Sequence, residues 1–133
     1  MIGKRIFSGS RYEEIANYAR AVVVPDAGGD WVLVSGTTGF DYADMSIAAD
    51  AGSQARQCLA NIADALAQAG AGPEHLVRIR VYLAERGDFD AVAAEVARFC
   101  AASRPANTTV IAPLVDERMR VEIEVTARAL PRQ

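Results

Sequence analysis

The chain has few of the residues from which metal and nucleophile sites are built. It contains two cysteines and one histidine in 133 residues. These three residues lie far apart in sequence, which disfavours a metal site. Cys58 and Cys100 each fall on the apolar stripe of a predicted helix, so both are expected to be buried thiols. His75 follows a proline and a glutamate in a turn, which predicts a histidine in a surface loop.

The chain also lacks the common sequence signatures of nucleotide binding, membrane insertion and export. It has no Gly-x-Gly-x-x-Gly motif, no phosphate loop, and no apolar run long enough to span a bilayer. Arg11, Glu13 and Glu14 interrupt any leader-like stretch early, so we expect a cytoplasmic protein. The net charge is -3 and the basic residues are scattered, so neither nucleic acid nor membrane is an expected partner.

What remains is the composition of one ordinary globular domain. Hydrophobic residues make up 51% and charged residues 23% of the 133 residues, so a packed core is expected in a single domain spanning residues 1–133. Residues 40–47 show no clear period and are predicted to be a loop. The predicted strands are 6–8, 19–24, 31–35, 77–83, 107–111 and 121–126, and the predicted helices are 51–69 and 89–100, the second capped by Asp88.

The predicted order is therefore βββαβαββ, an α+β fold. Two helices with one apolar stripe each can cover only one face of a mixed sheet. Strand alternation places Arg78, Arg80, Glu122 and Glu124 on the other face, where arginines and glutamates can pair across strands. Such a polar face is either solvated or packed against copies of the same chain. The strands of residues 107–128 carry much of this pattern and are predicted to form the functional region.

Several segments, in a specific order and spacing, carry a family resemblance. Tyr18 lies in Asn-Tyr-Ala-Arg-Ala, which is similar to a Pro-Tyr-Ser-Gln-Ala segment, and Ser35 ends a strand in Ser-Gly. The first long helix carries the pattern Gln-x-Arg-Gln-x-x-x-Asn. The matching segments are residues 17–22, 32–36, 54–62, 81–83, 88–89, 105–106 and 121–127.

Together these segments resemble the Rid family (reactive intermediate deaminases, also called YjgF-like or endoribonuclease L-PSP-like). The resemblance implies a chorismate-mutase-like fold and a homotrimer whose sheets form a barrel with the helices outside. It also implies small-molecule clefts between subunits and hydrolysis of 2-imino acids without cofactor or metal. The older ribonuclease label gains little support from this acidic chain.

The resemblance assigns site roles residue by residue. Glu122 matches the glutamate that orients the attacking water, and Tyr18 and Ser35 match positions that line the cleft. The arginine that holds the substrate carboxylate is here Asn107, and a nearby cysteine is here Thr109. Asparagine cannot form the bidentate ion pair, so the chain resembles a subgroup with altered or weak activity.

Three interpretations stay open at this point. The chain is a weakly active imine hydrolase, an enzyme for a different small metabolite, or a non-catalytic binding or regulatory module. Arg11, Arg118 or Arg120 could replace the missing cation. Glu122 could instead serve only to pair with an arginine on the polar sheet face.

Overall fold

The computed structural model describes residues 2–131 and contains one six-stranded sheet with two long helices. The long helices are α2 and α3, and a short helix, α1, precedes the second strand. The strands are β1 (Lys4–Ile6), β2 (Ala21–Val24), β3 (Trp31–Thr37), β4 (Phe40–Asp41), β5 (Ser46–Ile47), β6 (Leu76–Leu83), β7 (Ala106–Ile111) and β8 (Val121–Arg128). The helices are α1 (Arg11–Ile15), α2 (Ala51–Gln68) and α3 (Phe89–Phe99).

The sheet has the strand order β1-β2-β3-β8-β6-β7, and only the β6–β7 pair is parallel. β2 and β3 form a hairpin, in which Val24 pairs with Trp31 in an antiparallel ladder. β6 lies between β7 and β8, so the two strands of residues 107–128 are not neighbours. The expected α+β class with one mixed sheet is confirmed.

The long helices pack on the face of the sheet where the apolar residues lie. Each of the central strands β6 and β8 alternates, with buried Ile79, Val81, Ile123 and Val125 toward the helices. Both cysteines are buried within this core, as predicted. Along the described chain no helix combines the length and apolarity needed to cross a membrane.

The opposite face is polar, and its charges pair across strands as the alternation predicts. Arg80 lies opposite Glu124 in the ladder, with 3.7 Å between guanidinium and carboxylate. The Tyr82 hydroxyl donates to the same carboxylate at 2.6 Å. Glu122 lies opposite Tyr82. Glu124 is therefore the glutamate that pairs with an arginine, and Glu122 forms no ion pair with the described residues.

Two local predictions need correction, and one short helix was not predicted. Residues 11–15 form helix α1, which is too short to show an apolar stripe and begins at the N-cap Ser10. The predicted loop of residues 40–47 contains the small β4–β5 hairpin, whose strands have two residues each. Asp88 precedes α3 but does not cap it with its side chain. Its carboxylate instead binds the Arg120 guanidinium at 2.8 and 2.9 Å.

Gln54 on α2 fixes the chain that leads into β8. Its side chain is fully buried and donates to the carbonyls of Ala48 and Arg118 at 2.7 and 2.8 Å. Its carbonyl oxygen accepts from the Arg120 backbone at 2.7 Å. Because these are buried hydrogen bonds between a helix and a loop, they hold the start of β8, and with it Glu122, in one position.

Candidate ligand site

Glu122 lies on β8 over a local irregularity of β3. Val34 pairs with Val125 and Thr37 with Ile123, so Ser35 and Gly36 together stand opposite one residue of β8. This is the geometry of a β-bulge. A Cβ at position 36 would overlap the Glu122 carboxylate, so only glycine leaves room for that group.

Burial is the main influence on the charge state of Glu122. It raises the pKa of the half-buried carboxyl, the positive charge of Arg20 lowers it, and Glu124 raises it further, leaving the pKa above its ordinary value. A carboxyl group whose pKa lies nearer to neutrality is better suited to accept a proton from water.

Arg20 is a functional candidate that the sequence analysis missed. The predicted strand of residues 19–24 includes Arg20, but β2 begins at Ala21 and Arg20, which directly precedes it, is only 2% exposed. Its Nε binds the buried Glu13 carboxylate at 3.1 Å. One Nη donates to the Gly36 carbonyl at 2.7 Å and to the Thr37 hydroxyl at 3.0 Å.

The aromatic surroundings of Arg20 include a predicted site residue. Its guanidinium lies 5.5 Å from the centroid of the Tyr18 ring and 5.4 Å from that of Tyr42, and it donates to the Tyr18 hydroxyl at 3.4 Å. Burial opposes the charge, but Tyr42, Tyr18 and Glu13 outweigh it and the pKa of Arg20 is raised. Arg20 is thus permanently charged and holds Tyr18 beside the bulge.

Ser35 ties the bulge to the segment that carries Tyr18. Its hydroxyl donates to the Ala19 carbonyl at 2.7 Å, and its backbone amide donates to the Arg20 carbonyl at 2.9 Å. We call Glu122, Arg20, Tyr18, Ser35 and Gly36 the Glu122 cluster. Three of the residues predicted for the site, Glu122, Tyr18 and Ser35, therefore belong to one connected group.

Asn107 and Thr109 lie elsewhere, in a groove between α3 and β7 that we call the Asn107 groove. Its volume is about 430 Å³. The Thr109 hydroxyl donates to the Asn107 side-chain oxygen at 2.8 Å, so the amide nitrogen of Asn107 is left as a donor. The groove is lined by Val81, Leu83, Phe89, Val92, Ala93, Val96, Ala97, Asn107 and Thr109.

The two groups face opposite sides of the sheet. Thr109 is in register with Val81, which points into the core beside the helices, whereas Glu122 is in register with Tyr82 on the polar face. Adjacent residues of a strand point to opposite faces. One chain therefore cannot bring Glu122 and Asn107 to the same ligand.

The three arginines considered as replacement cations have different surroundings. Arg118 binds Asp116 through two nitrogens, at 2.9 and 3.1 Å, and this ion pair lowers the pKa of the Asp116 carboxyl. Arg120 is held by Asp88. Arg11 is exposed at the start of α1. Two of the three guanidiniums are therefore already neutralised.

The described residues offer no cluster of metal ligands. Among residues 2–131 no group of three histidine, cysteine or acidic side chains could hold an ion. Burial raises the pKa of the Cys58 thiol, whose sulfur donates to the Thr37 carbonyl, so this cysteine is neither a ready ligand nor a nucleophile.

Comparisons with known proteins agree with this architecture. The family described as endoribonuclease L-PSP matches residues 8–129. An uncharacterized protein of Streptomyces coelicolor is 36% identical over 125 residues, which are 93% of this chain and 90% of that protein. Protein DfrA of Myxococcus xanthus is 32% identical over 128 residues, 96% of each chain.

A solved structure gives the same result. Rv2704 of Mycobacterium tuberculosis, described as a member of the YjgF/YER057c/UK114 family, superposes with a TM-score of 0.82 at 31% identity, covering 95% of this chain and 98% of that one. The chain therefore belongs to the endoribonuclease L-PSP family, the YjgF or Rid family. The resemblance read from the sequence is confirmed.

Proposed function

We propose that the protein is a homotrimer whose small-molecule clefts lie between subunits, each cleft combining the Glu122 cluster of one copy with the Asn107 groove of another. The observation that carries this proposal is the placement of the two groups on opposite faces of one sheet. A cleft that needs both must draw them from different chains. The cyclic contact also covers a face that a single chain leaves open.

The exposed apolar residues of the polar face support such an assembly. Leu33 on β3 is 46% exposed and Val110 on β7 is 41% exposed, and both belong to the face away from the long helices. Burying such side chains against copies of the chain is favourable. A domain of this size gains particularly from association because its own core is small.

The reaction that the cleft supports best is hydrolysis of a C=N bond. The Glu122 carboxylate takes a proton from water as the oxygen attacks the imine carbon and the C=N electron pair moves to nitrogen. Glu122 returns that proton to the nitrogen, which gives a neutral carbinolamine. The carbinolamine then collapses as Glu122 moves the hydroxyl proton to the nitrogen, so that the C–N bond breaks, ammonia leaves and a carbonyl product remains. Glu122 is suited to this role because its carboxyl is half-buried and its pKa is raised.

Asn107 sets the limit of this activity. A charge-assisted hydrogen bond contributes about 1.5–3 kcal/mol, so a substrate carboxylate that meets only a neutral amide binds more weakly by about tenfold or more. We therefore infer weak hydrolysis of simple 2-imino acids, or a preference for substrates whose group beside Asn107 is different.

The test is an activity assay with 2-iminobutanoate generated in situ. It is combined with light scattering after size-exclusion chromatography, which measures the molar mass of the assembly. The expected result is a trimer with slow turnover that Glu122→Gln abolishes. A monomer, or turnover that survives Glu122→Gln, would overturn the proposal. Glu122→Gln leaves the neighbouring Glu124 carboxylate unchanged, so a loss of turnover would be assigned to Glu122 itself.

A second candidate function is non-catalytic ligand binding, and the Asn107–Thr109 pair favours it. The pair is a neutral hydrogen-bonding unit in an apolar groove, which suits recognition but provides no charge for catalysis. Stabilisation by a small metabolite in a thermal-shift screen, combined with no turnover of any imine, would support this alternative.

A further inference from the structure

The Asn107 groove continues into a second depression that contains a cation. The second depression has a volume of about 510 Å³ and is lined by Arg86, Phe89, Thr109, Val110 and Ile111. Phe89 and Thr109 also line the groove. Arg86 therefore lines a depression that adjoins the groove at Thr109, the residue that is hydrogen-bonded to Asn107.

Arg86 has no side-chain partner among residues 2–131, in contrast to Arg98 and Arg120. Arg120 is paired with Asp88, and Arg98 is paired with Glu95. Arg86 is exposed, and neither an ion pair nor a side-chain hydrogen bond joins it to the described residues. Its planar fork is thus available to a carboxylate, which it can hold through two parallel bonds.

The backbone that carries Arg86 is anchored. It belongs to a single 3-10 turn, Arg86–Asp88, in which the Asp88 amide donates to the Glu85 carbonyl at 3.2 Å. The Asp88 carboxylate binds Arg120 at the start of β8. A turn fixed at one end to the sheet holds its cation near the groove, so less ordering is needed when an anion binds.

We propose that Arg86 supplies the cation that Asn107 cannot, so that this groove still distinguishes a carboxylate from a neutral group. The carboxylate lies between Arg86 and the Asn107 amide, which is a donor because its oxygen is occupied by Thr109. The aliphatic part contacts the apolar wall formed by Phe89, Val92 and the neighbouring residues of α3. This inference rests on the proposed function, since it assigns a specificity-determining residue to the same site.

The experiment compares a carboxylate with its neutral isostere. Binding of 2-oxobutanoate and of 2-oxobutanamide is measured by NMR titration for the wild type and for Arg86→Gln, Arg86→Lys and Arg104→Gln. Arg104 is the matched control because it is also exposed and without a partner among the described residues, and it lines neither depression. Circular dichroism melting confirms that each variant folds.

The wild type is expected to prefer the carboxylate over the amide by about tenfold or more. Arg86→Gln should abolish that preference, Arg86→Lys should keep part of it, and Arg104→Gln should leave it unchanged. If the wild type binds both probes and Arg86→Gln keeps the preference, the assignment of Arg86 falls while the cleft stands. If the wild type binds neither probe, both the assignment and the proposed function fall.

Arg11→Gln separates this proposal from the remaining candidate cation. Arg11 is exposed at the start of α1, away from both depressions of its own chain. Loss of the carboxylate preference in Arg11→Gln, with the preference intact in Arg86→Gln, would transfer the role to Arg11 and overturn the assignment.

Discussion

The Glu122 cluster and the Asn107 groove lie on opposite faces of one sheet and are built in contrasting ways. The cluster is polar and held by a buried ion pair, a bulge and a glycine that gives the carboxylate its room. The groove is apolar and open, and its polar side chains bind mainly each other. The contrast suggests that the cluster determines the chemistry. Substitutions in the groove can change which ligand binds without disturbing the fold.

The largest expected effect comes from removing the cation of the cluster. Arg20→Met leaves the Glu13 carboxylate buried without its partner and removes the donors to Gly36 and Thr37. Breaking a buried pair in this way costs about 3–5 kcal/mol. The free energy of unfolding is measured in urea by circular dichroism.

Arg104→Met is the control for this change because Arg104 is exposed, and its effect should stay within about 0.5 kcal/mol. If Arg20→Met cost less than about 1 kcal/mol, the value usual for a surface pair, the cluster would be no more rigid than the groove. The contrast between the two regions would then be lost.

The Asn107 groove should tolerate the addition of a cation, whereas the Glu122 cluster should not tolerate the removal of one. Asn107 is exposed, so Asn107→Arg should fold normally and give a substrate carboxylate a bidentate partner. We expect kcat/KM for 2-iminobutanoate to rise by about tenfold, from about 1.5 kcal/mol of added interaction, because Arg86 already supplies part of the charge. Steady-state kinetics on both proteins measure the change.

Asn107→Lys is the matched control, since it adds the charge without the planar fork and should give a smaller gain. Equal activity of the wild type and Asn107→Arg would mean that the missing arginine is not what limits turnover. Chemistry at Glu122 would then be the next candidate.

Substitutions at two glycines test the stability of the protein separately from the position of the Glu122 carboxylate. A Cβ at position 39 would meet the backbone of Gln54, whereas a Cβ at position 36 would meet only the end of the Glu122 side chain. Gly39→Ala should therefore destabilise the protein by about 1–3 kcal/mol. Gly36→Ala should cost less, because a flexible carboxylate can move aside.

The activity of the two variants should show the reverse order. Gly36→Ala displaces the carboxylate from its place beside the bulge, so turnover should fall even though the protein remains stable. Gly39→Ala should keep its turnover at temperatures where it is folded. A Gly36→Ala protein with unchanged kinetics would show that the position of Glu122 is not critical.

The sequence predicts the periodic parts of the molecule well. The long helices and the strands around Val81 and Ile123 follow from alternation and from the 3.6-residue period, because each buries one continuous apolar face. Helix α1 and the β4–β5 hairpin could not be predicted in the same way. Each is too short for its period to be visible, and their positions depend on tertiary contacts.

The candidate site could be predicted only in part, for a related reason. Glu122 is visible as a polar residue in an alternating strand. Nothing in the pattern indicates that Glu124 takes the arginine while Glu122 contacts a bulge. Arg20 was missed because a charged residue near a strand is expected to be exposed, and the buried Glu13 that pairs with it lies in an unpredicted helix. The position of the Arg20 charge depends on contacts between distant segments and not on the local sequence.

The smallest expected effect is a pH dependence that arises in the Glu122 cluster and has no counterpart in the Asn107 groove, whose lining has no acidic side chain. The folded pKa of Glu122 is raised because burial disfavours its charge. For such a group the stabilising contribution is fully present below the unfolded pKa and is lost as the pH rises through the folded pKa. Glu122→Gln removes the penalty, so this variant should be more stable than the wild type at pH 7, and the difference should shrink at pH 4. Urea unfolding of both proteins at the two pH values measures it, with Glu85→Gln as an exposed control. A difference that grew toward pH 4 would mean that the Arg20 charge outweighs burial, and that Glu122 is held ionised as a binding group instead of being poised to take a proton.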